Sequence, residues 1–303
     1  MFKKIIFAAL AVCAFLLLFI DVGSLFSQRL IEALWPIGHL SVFCFWSFLL
    51  LQYHPSIRSL PLLKQCFTLT LLCFAFGLSI EIIQPYFSRE MEVQDLFLNY
   101  MGVLLSLILF SKHPIHWLFK VAYLLLIGLV LHRSALLIYD EAKAQIDFPA
   151  LASFDQEIEL TRWKADQPLM IKKPMIQTGS SSMMQITFVP RQYSGVALRY
   201  FPGDWQDYNK ITMRFYNPNP NALPVTLIII DQHYEKGHPN YRDRYDQHLT
   251  IAPGYSEQSI LLTTIQAGVE LREMDLSKIA GVDFYMYKLK SPIHLYLDSM
   301  YLQ

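Results

Sequence analysis

Residues 115–138 read Ile115-His-Trp-Leu-Phe-Lys-Val-Ala-Tyr-Leu-Leu-Leu-Ile-Gly-Leu-Val-Leu-His-Arg-Ser-Ala-Leu-Leu-Ile138, and the next nine, Tyr139-Asp-Glu-Ala-Lys-Ala-Gln-Ile-Asp147, turn abruptly polar. About 20 predominantly apolar residues let a helix cross a bilayer core. Four comparable runs precede this one, at 3–22, 33–53, 62–84 and 95–111, and none follows it. The stretch therefore divides the chain. Residues 1–139 are expected to form a membrane α-helical bundle of five transmembrane helices, with 140–150 as a linker. Residues 151–303 are expected to form an all-β jelly roll or sandwich outside the cytoplasm.

The composition agrees with two materials in one chain. It is 53% hydrophobic and 17% charged, against about 25% charged in ordinary soluble domains. Formal net charge is zero, with 25 basic and 25 acidic residues. That balance argues against a nucleic-acid partner, which needs a basic surface. The first half holds nine Lys and Arg against six Asp and Glu, and the second half sixteen against nineteen.

Orientation follows from basic residues flanking the runs. Lys3, Lys4, Arg58, Lys64, Lys112 and Lys120 fall on one side if every run spans. Arg29, Arg89 and Arg133 fall on the other, beside Asp21, Glu32, Glu90, Glu92 and Asp95. The expectation is a bacterial cytoplasmic (inner) membrane protein with a cytoplasmic N-terminus and a periplasmic C-terminal domain, membrane lipid being one partner. The first run resembles a signal peptide, but no A-x-A-like site follows it, so a retained helix is expected. Cys13, Cys44, Cys66 and Cys73 all lie in apolar runs and read as small hydrophobes.

One segment of the apolar half is dense in polar side chains, from Ser79 through Glu81, Gln84, Pro85, Arg89, Asp95 and Asn99 to Gly102. Glu81 and Gln84 share a helix face, as do Asp95, Asn99 and Gly102. Pro85 ends or breaks the third span, and Asp95 suits a helix N-terminus. Arg89 is placed to bridge Glu81 and Asp95. Ionisable groups at membrane depth mark a functional site or lock a helical hairpin, with Gly102 allowing close helix contact. His39 joins them as a relay or ligand, or as a satisfied interfacial group.

The spacing E-x2-Q-x4-R-x5-D-x3-N-x2-G resembles the signature of the VanZ-like family of bacterial membrane proteins, matched at Glu81, Gln84, Arg89, Asp95, Asn99 and Gly102. His39 fits the family's histidine at the start of an earlier span, but Trp35-Pro36 stands where an Asp-Lys pair is usual. The resemblance covers about residues 1–135. It implies a cell-envelope protein, of a family whose namesake is associated with glycopeptide resistance, and a link to glycopeptide tolerance or envelope polysaccharide is expected. Separately, the polar cluster on the outer leaflet is expected to bind an envelope glycan or the head group of an envelope lipid or lipid-linked sugar.

Beyond 150 the chain shows short runs rich in Tyr, Phe, Ile, Val and Thr, separated by Pro, Gly and Asn clusters. Strands are expected at 157–163, 183–189, 195–201, 209–216, 224–232, 245–251, 257–263, 281–287 and 293–302, with a short helix near 275–279. Phe154-Asp155, Leu160-Thr-Arg-Trp163, Asp204-Trp205-x2-Tyr208, Tyr241-x-Asp243-Arg244 and Leu295–Leu302 resemble, in order, landmarks of galactose-binding-like jelly rolls that serve as carbohydrate-binding modules. Trp205, Tyr234, Tyr241 and Tyr245, near Asp231, Asp243 and Asp246, are the candidate glycan contacts; large rigid rings with a polar handle suit sugars. The alternative is that they fill the core while the acids pair with Arg242 and Arg244.

No cofactor is expected. His233 and His238 read as a solvated loop rather than a zinc site, and no Asp-rich loop of fixed spacing supports a structural calcium. No G-x-S-x-G, H-E-x-x-H or G-x4-G-K-[ST] motif occurs, so nothing points to catalysis. A glycan-binding envelope protein is the first reading. A membrane enzyme or transporter centred on Glu81–Asp95 and a protein-interaction module are the alternatives.

Overall fold

A computed structural model describes residues 27–87, 92–172, 182–237 and 240–303. The chain divides into two compact units, Met1–Ile138 and Tyr139–Gln303. The first expected span, at 3–22, and Arg89 lie outside the described residues.

The first unit is helical. Its elements are α1 (Gln28–Tyr53), the short α2 (Pro55–Arg58), α3 (Leu62–Ile83), α4 (Val93–Phe110) and the long α5 (Trp117–Asp147), whose last turns belong to the second unit. The Ser27 hydroxyl caps α1 by accepting from the Leu30 N–H at 3.1 Å, satisfying one of the unpaired donors at a helix start. Four helices, α1, α3, α4 and α5, are long and apolar enough to cross a membrane by length and composition. Side chains such as Leu63, Phe67, Phe119, Leu125 and Leu129 point outward from them. A helix apolar on every side belongs in a membrane or a large core.

Small residues set how closely these helices meet. A Cβ on Gly102 would stand 2.4 Å from the Leu40 carbonyl oxygen and 2.8 Å from the Cys44 nitrogen. Glycine therefore lets α4 lie directly against the α1 backbone, the packing device expected of it. Gly77 does the same between α3 and α4, where a Cβ would meet Asn99 Nδ2 at 2.9 Å. At the Gln65 end of α3, the Gln65 amide donates to the carbonyls of Ile57 and Arg58 and accepts from the Ser111 hydroxyl.

The second unit is a β-sandwich. One sheet runs β3 (Met170–Lys172), β4 (Met183–Phe188), β11 (Ile293–Leu302), β6 (Lys210–Asn217), β9 (Gly254–Leu261), with β1 (Ala150–Ala152) also on β11. The other runs β2 (Trp163–Ala165), β5 (Tyr193–Leu198), β10 (Ile279–Tyr287), β7 (Leu223–Asp231), β8 (Tyr245–Ile251). Every pairing is antiparallel. The crossings from β4 to β5, β6 to β7, β8 to β9 and β10 to β11 each change sheet, as in a jelly roll. Period-two alternation buries Met184, Ile186, Phe188, Phe215, Leu227, Phe284 and Leu297 between the sheets.

Two expectations are corrected. Residues 157–163 are mostly not a strand: Glu157–Arg162 is a 3-10 helix and β2 begins at Trp163. Glu159 explains this, because its buried carboxylate accepts from the backbone N–H groups of Ser153, Phe154, Asp155 and Gln156. Such a cradle curls the chain and holds Phe154 at φ 60°. The segment read as a linker is helical to Asp147. Within it, Asp140 is buried and accepts two bonds from Arg162, Nε to Oδ2 at 2.9 Å and Nη2 to Oδ1 at 2.8 Å. A bidentate, fully desolvated pair of this kind makes these turns part of the sandwich.

Candidate functional site

In the helical unit, α1, α3 and α4 bring His39, Glu81, Asp95 and Asn99 together, all buried. The Trp35 indole N–H donates to Asp95 Oδ2 at 2.9 Å. His39 Nδ1 lies 2.9 Å from Asn99 Oδ1, and its Nε2 lies 3.3 Å from Asp95 Oδ2. The Glu92 backbone N–H donates to Glu81 Oε2 at 2.9 Å, while Glu81 Oε1 has no partner among the described residues. Gln84, at the start of a 3-10 turn (Gln84–Phe87), is also buried. Arg89, the expected bridge, falls outside the described residues. Sequence reasoning expected no metal-capable cluster, yet one ligand atom from each of His39, Glu81 and Asp95 lies within 4.8 Å of the others. The unforeseen member is Trp35, whose indole N–H reaches Asp95 from α1.

In the β unit, the four expected aromatic contacts separate into two kinds. Trp205 is 0% exposed, with its indole N–H donating to the Pro202 carbonyl at 3.1 Å. Tyr245 is also in the core, its hydroxyl donating to Gln247 Oε1. Neither offers a ring face to a ligand, so the glycan expectation is corrected for both. Tyr241 is 77% exposed with the Arg244 guanidinium 4.8 Å over its ring, and Tyr234 is half-buried on α6 (Gln232–Lys236).

The acids nearby hold the loop in place. Arg272 donates to both oxygens of buried Asp231 and to Asp243 Oδ1 at 2.6 Å. Backbone N–H groups of Tyr234 and Asp275 also donate to Asp231. Burial alone would raise the Asp231 pKa, but these donors outweigh it and hold the carboxyl below its usual range. Arg242 turns instead to Glu270 and Arg244 to Asp246. His238 of the weighed histidine pair lies outside the described residues.

A different surface is concave. On the outer face of the β2-β5-β10-β7-β8 sheet lies a groove of about 390 Å³ whose lining includes Lys164, Asp166, Tyr193, Gly195, Asp283 and Tyr285. Strand register explains its make-up. Lys164, Ala197, Asp283, Ile228 and Asp246 stand in one row across the sheet, and Gly195, Tyr285, Thr226 and His248 in the next. Tyr193 pairs with Tyr287 beyond them. The small residues Gly195 and Ala197 form the floor. A Cβ on Gly195 would stand 2.7 Å from the Phe284 carbonyl oxygen and 2.9 Å from Tyr285 Cβ, so glycine alone admits Tyr285 this closely.

Tyrosines form the wall. Tyr193 is 57% exposed and Tyr287 46%, and the Tyr193 ring centroid lies 5.0 Å from Tyr287 and 6.0 Å from Tyr285. Both acids of the groove have donors. Arg199 grips Asp283 through two bonds, and the Gly195 N–H donates to Asp166 Oδ2 at 3.2 Å. The sequence carried a readable signal for this site. In Tyr193–Leu198 and Ile279–Tyr287 the tyrosines and Asp283 occupy the phase opposite to the buried Val196, Leu198, Val282, Phe284 and Met286.

No family model matches the chain, and no curated protein matches it. Solved structures do show likeness over half of it. A family 11 carbohydrate-binding module from Clostridium thermocellum, in complex with a β-1,3-1,4-mixed-linked tetrasaccharide, is 14% identical and covers 50% of this chain and 93% of its own, at a TM-score of 0.37. A module specific for non-crystalline cellulose is 12% identical, covering 52% and 93% at 0.37. An exo-beta-agarase is 14% identical, covering 51% of this chain and 24% of its own at 0.42.

Proposed function

We propose that this protein is a membrane-anchored, glycan-binding protein of the bacterial envelope. The tyrosine-walled groove on the outer sheet face carries the reading. Sugar rings present flat C–H faces that stack on exposed aromatic rings, and hydroxyls that need hydrogen-bonding partners at the rim. Tyr193 and Tyr285, with Tyr287 packed beside Tyr193, supply the first, and Lys164, Asp166 and Asp283 the second. Rings held on rigid strands lose little entropy on binding. Because the groove's lining sets two acids, Asp166 and Asp283, against one lysine, Lys164, a neutral saccharide suits it better than an anionic one. A volume of about 390 Å³ lies in the range of small-ligand sites.

Four helices of spanning length and apolar outer surface support the anchor. The polar spacing from Glu81 to Gly102 supports a VanZ-like identity for the helical unit, and the basic residues near its loops support a periplasmic sandwich.

The test is binding of the full chain, in detergent or nanodiscs, to a panel of neutral oligosaccharides including β-linked glucans and galactans. At least one should bind, with Tyr285→Ala weakening it about tenfold, or ~1.4 kcal/mol. Tyr241→Ala, outside the groove, should leave it unchanged. A folded chain that binds no member of the panel, or whose binding survives Tyr193→Ala with Tyr285→Ala, would overturn the reading.

A further inference from the structure

The helical unit gathers hydrogen-bond acceptors where a membrane protein can least tolerate them. His39 from α1, Glu81 from α3 and Asp95 from α4 are all buried, and one ligand atom from each lies within 4.8 Å of the others. Three elements far apart in sequence meet here because Gly77 and Gly102 remove the side chains that would hold the helices apart. We propose that His39, Glu81 and Asp95 bind a divalent transition-metal cation.

Three observations carry this. First, Glu81 is 0% exposed and its Oε1 has no partner among the described residues. A carboxylate oxygen buried without a donor is costly, and a cation beside it removes that cost. Second, each would-be ligand is already oriented by a hydrogen bond, on the far atom for His39 and Glu81 and on Oδ2 itself for Asp95. Asn99 Oδ1 accepts from His39 Nδ1, Trp35 donates to Asp95, and the Glu92 N–H donates to Glu81 Oε2. Metal-binding histidines and carboxylates are held in this manner, and the outer bond fixes the imidazole tautomer.

Third, with Nδ1–H directed at Asn99, a neutral His39 turns its Nε2 lone pair toward Asp95 Oδ2, 3.3 Å away. Two acceptors at this distance repel unless a positive charge lies between or beside them. One imidazole and two carboxylates form a donor set of the kind used for Zn²⁺, Mn²⁺ and Fe²⁺. Metal–ligand bonds of about 2.0–2.2 Å require the donors to move inward slightly from their present spacing. Three protein ligands would leave a coordination position open to water or to a ligand's oxygen. The proposal is independent of the glycan groove, which lies in the other unit.

The test strips the detergent-solubilised full chain with a chelator, then titrates it with Zn²⁺ and separately with Co²⁺. One equivalent should bind, Co²⁺ should give visible d–d bands, and emission from Trp35, whose ring lies 4.9 Å from that of His39, should change. Glu81→Gln and Asp95→Asn, which preserve shape, should each weaken binding at least tenfold. His39→Ala should do the same, and His132→Ala on α5 should bind as the unaltered chain does. Should His39→Ala fail to fold, the two carboxamide variants, checked for monodispersity, decide the matter. Uptake below about a tenth of an equivalent by the folded chain, or carboxamide variants that bind as tightly as the original, would overturn the proposal and leave His39 and Asp95 as an ion pair.

Discussion

Asp140 in the β unit and Glu81 in the helical unit are both fully buried carboxylates, and their surroundings differ in kind. Asp140 receives two guanidinium donors from Arg162. In the same unit Glu159 collects four backbone N–H groups, and Asp231 takes Arg272 with two more backbone donors. Every one of these carboxylates has donors to match its oxygens. Among the described residues Glu81 has one donor, the Glu92 N–H, and it shares its pocket with Asp95 and His39 Nε2. A saturated buried carboxylate holds structure together. An undersaturated one, among converging acceptors, is shaped for something positive.

Three substitutions sharpen or break this comparison. The largest effect is expected from Arg162→Ala, which strands the buried Asp140 charge. Removing one partner of such a pair costs about 3–5 kcal/mol, read as a lower denaturation midpoint of the full chain's β unit. A cost under ~1 kcal/mol would mean that Asp140 finds another donor and that saturation is not what anchors the last turns of α5.

Asp231 comes next, through pH. Its folded-state carboxyl is held below the usual range by Arg272 and backbone donors. A depressed carboxylate contributes stability above its unfolded pKa of about 3.9, and that stability is lost as pH falls through the lower folded value. Melting temperature should therefore decline only in the acid limb below about pH 4. In Arg272→Leu the loss across this limb should shrink, because the folded carboxyl's pKa rises toward the unfolded value and that share of the stability is already missing at neutral pH. An acid limb of unchanged size would assign the depression to the backbone donors instead.

The smallest effect is expected at Glu81. In the metal-free chain, Glu81→Gln keeps an acceptor for the Glu92 N–H and adds a donor among acceptors. Thermal stability should be unchanged or raised, by up to about 1 kcal/mol. If Glu81→Gln cost as much as Arg162→Ala, the contrast between the two regions would collapse and the helical cluster would be structural.

How much of this was readable varies by region. Strands β4, β8 and β11 fall within a residue of their sequence-based bounds because alternation and flanking turns both point to them. The run 157–163 misled because a buried Glu159 captures four backbone donors, a three-dimensional event that no periodicity announces. Trp205 looked like a loop aromatic because Asp204 precedes it and Pro202-Gly203 lies just upstream. The fold instead turns its ring into the core. The tyrosines of the groove were visible as the off-phase residues of two strands, but only the pairing of β5 with β10 places Tyr193, Tyr285 and Tyr287 side by side.

The sequence by itself determined the division of material: apolar helices before about residue 139, alternating strands after 150, and five polar residues and a glycine at set spacing from Glu81 to Gly102. Those follow from local rules, since hydropathy and periodicity act along the chain. Tertiary structure decided which of those polar residues meet and which carboxylates find donors. His39 reaches Asn99 and Asp95 across sixty and fifty-six positions only because Gly102 lets α4 touch the α1 backbone. Burial then makes each missing donor count, because an acceptor out of water must be satisfied by whatever the fold brings beside it.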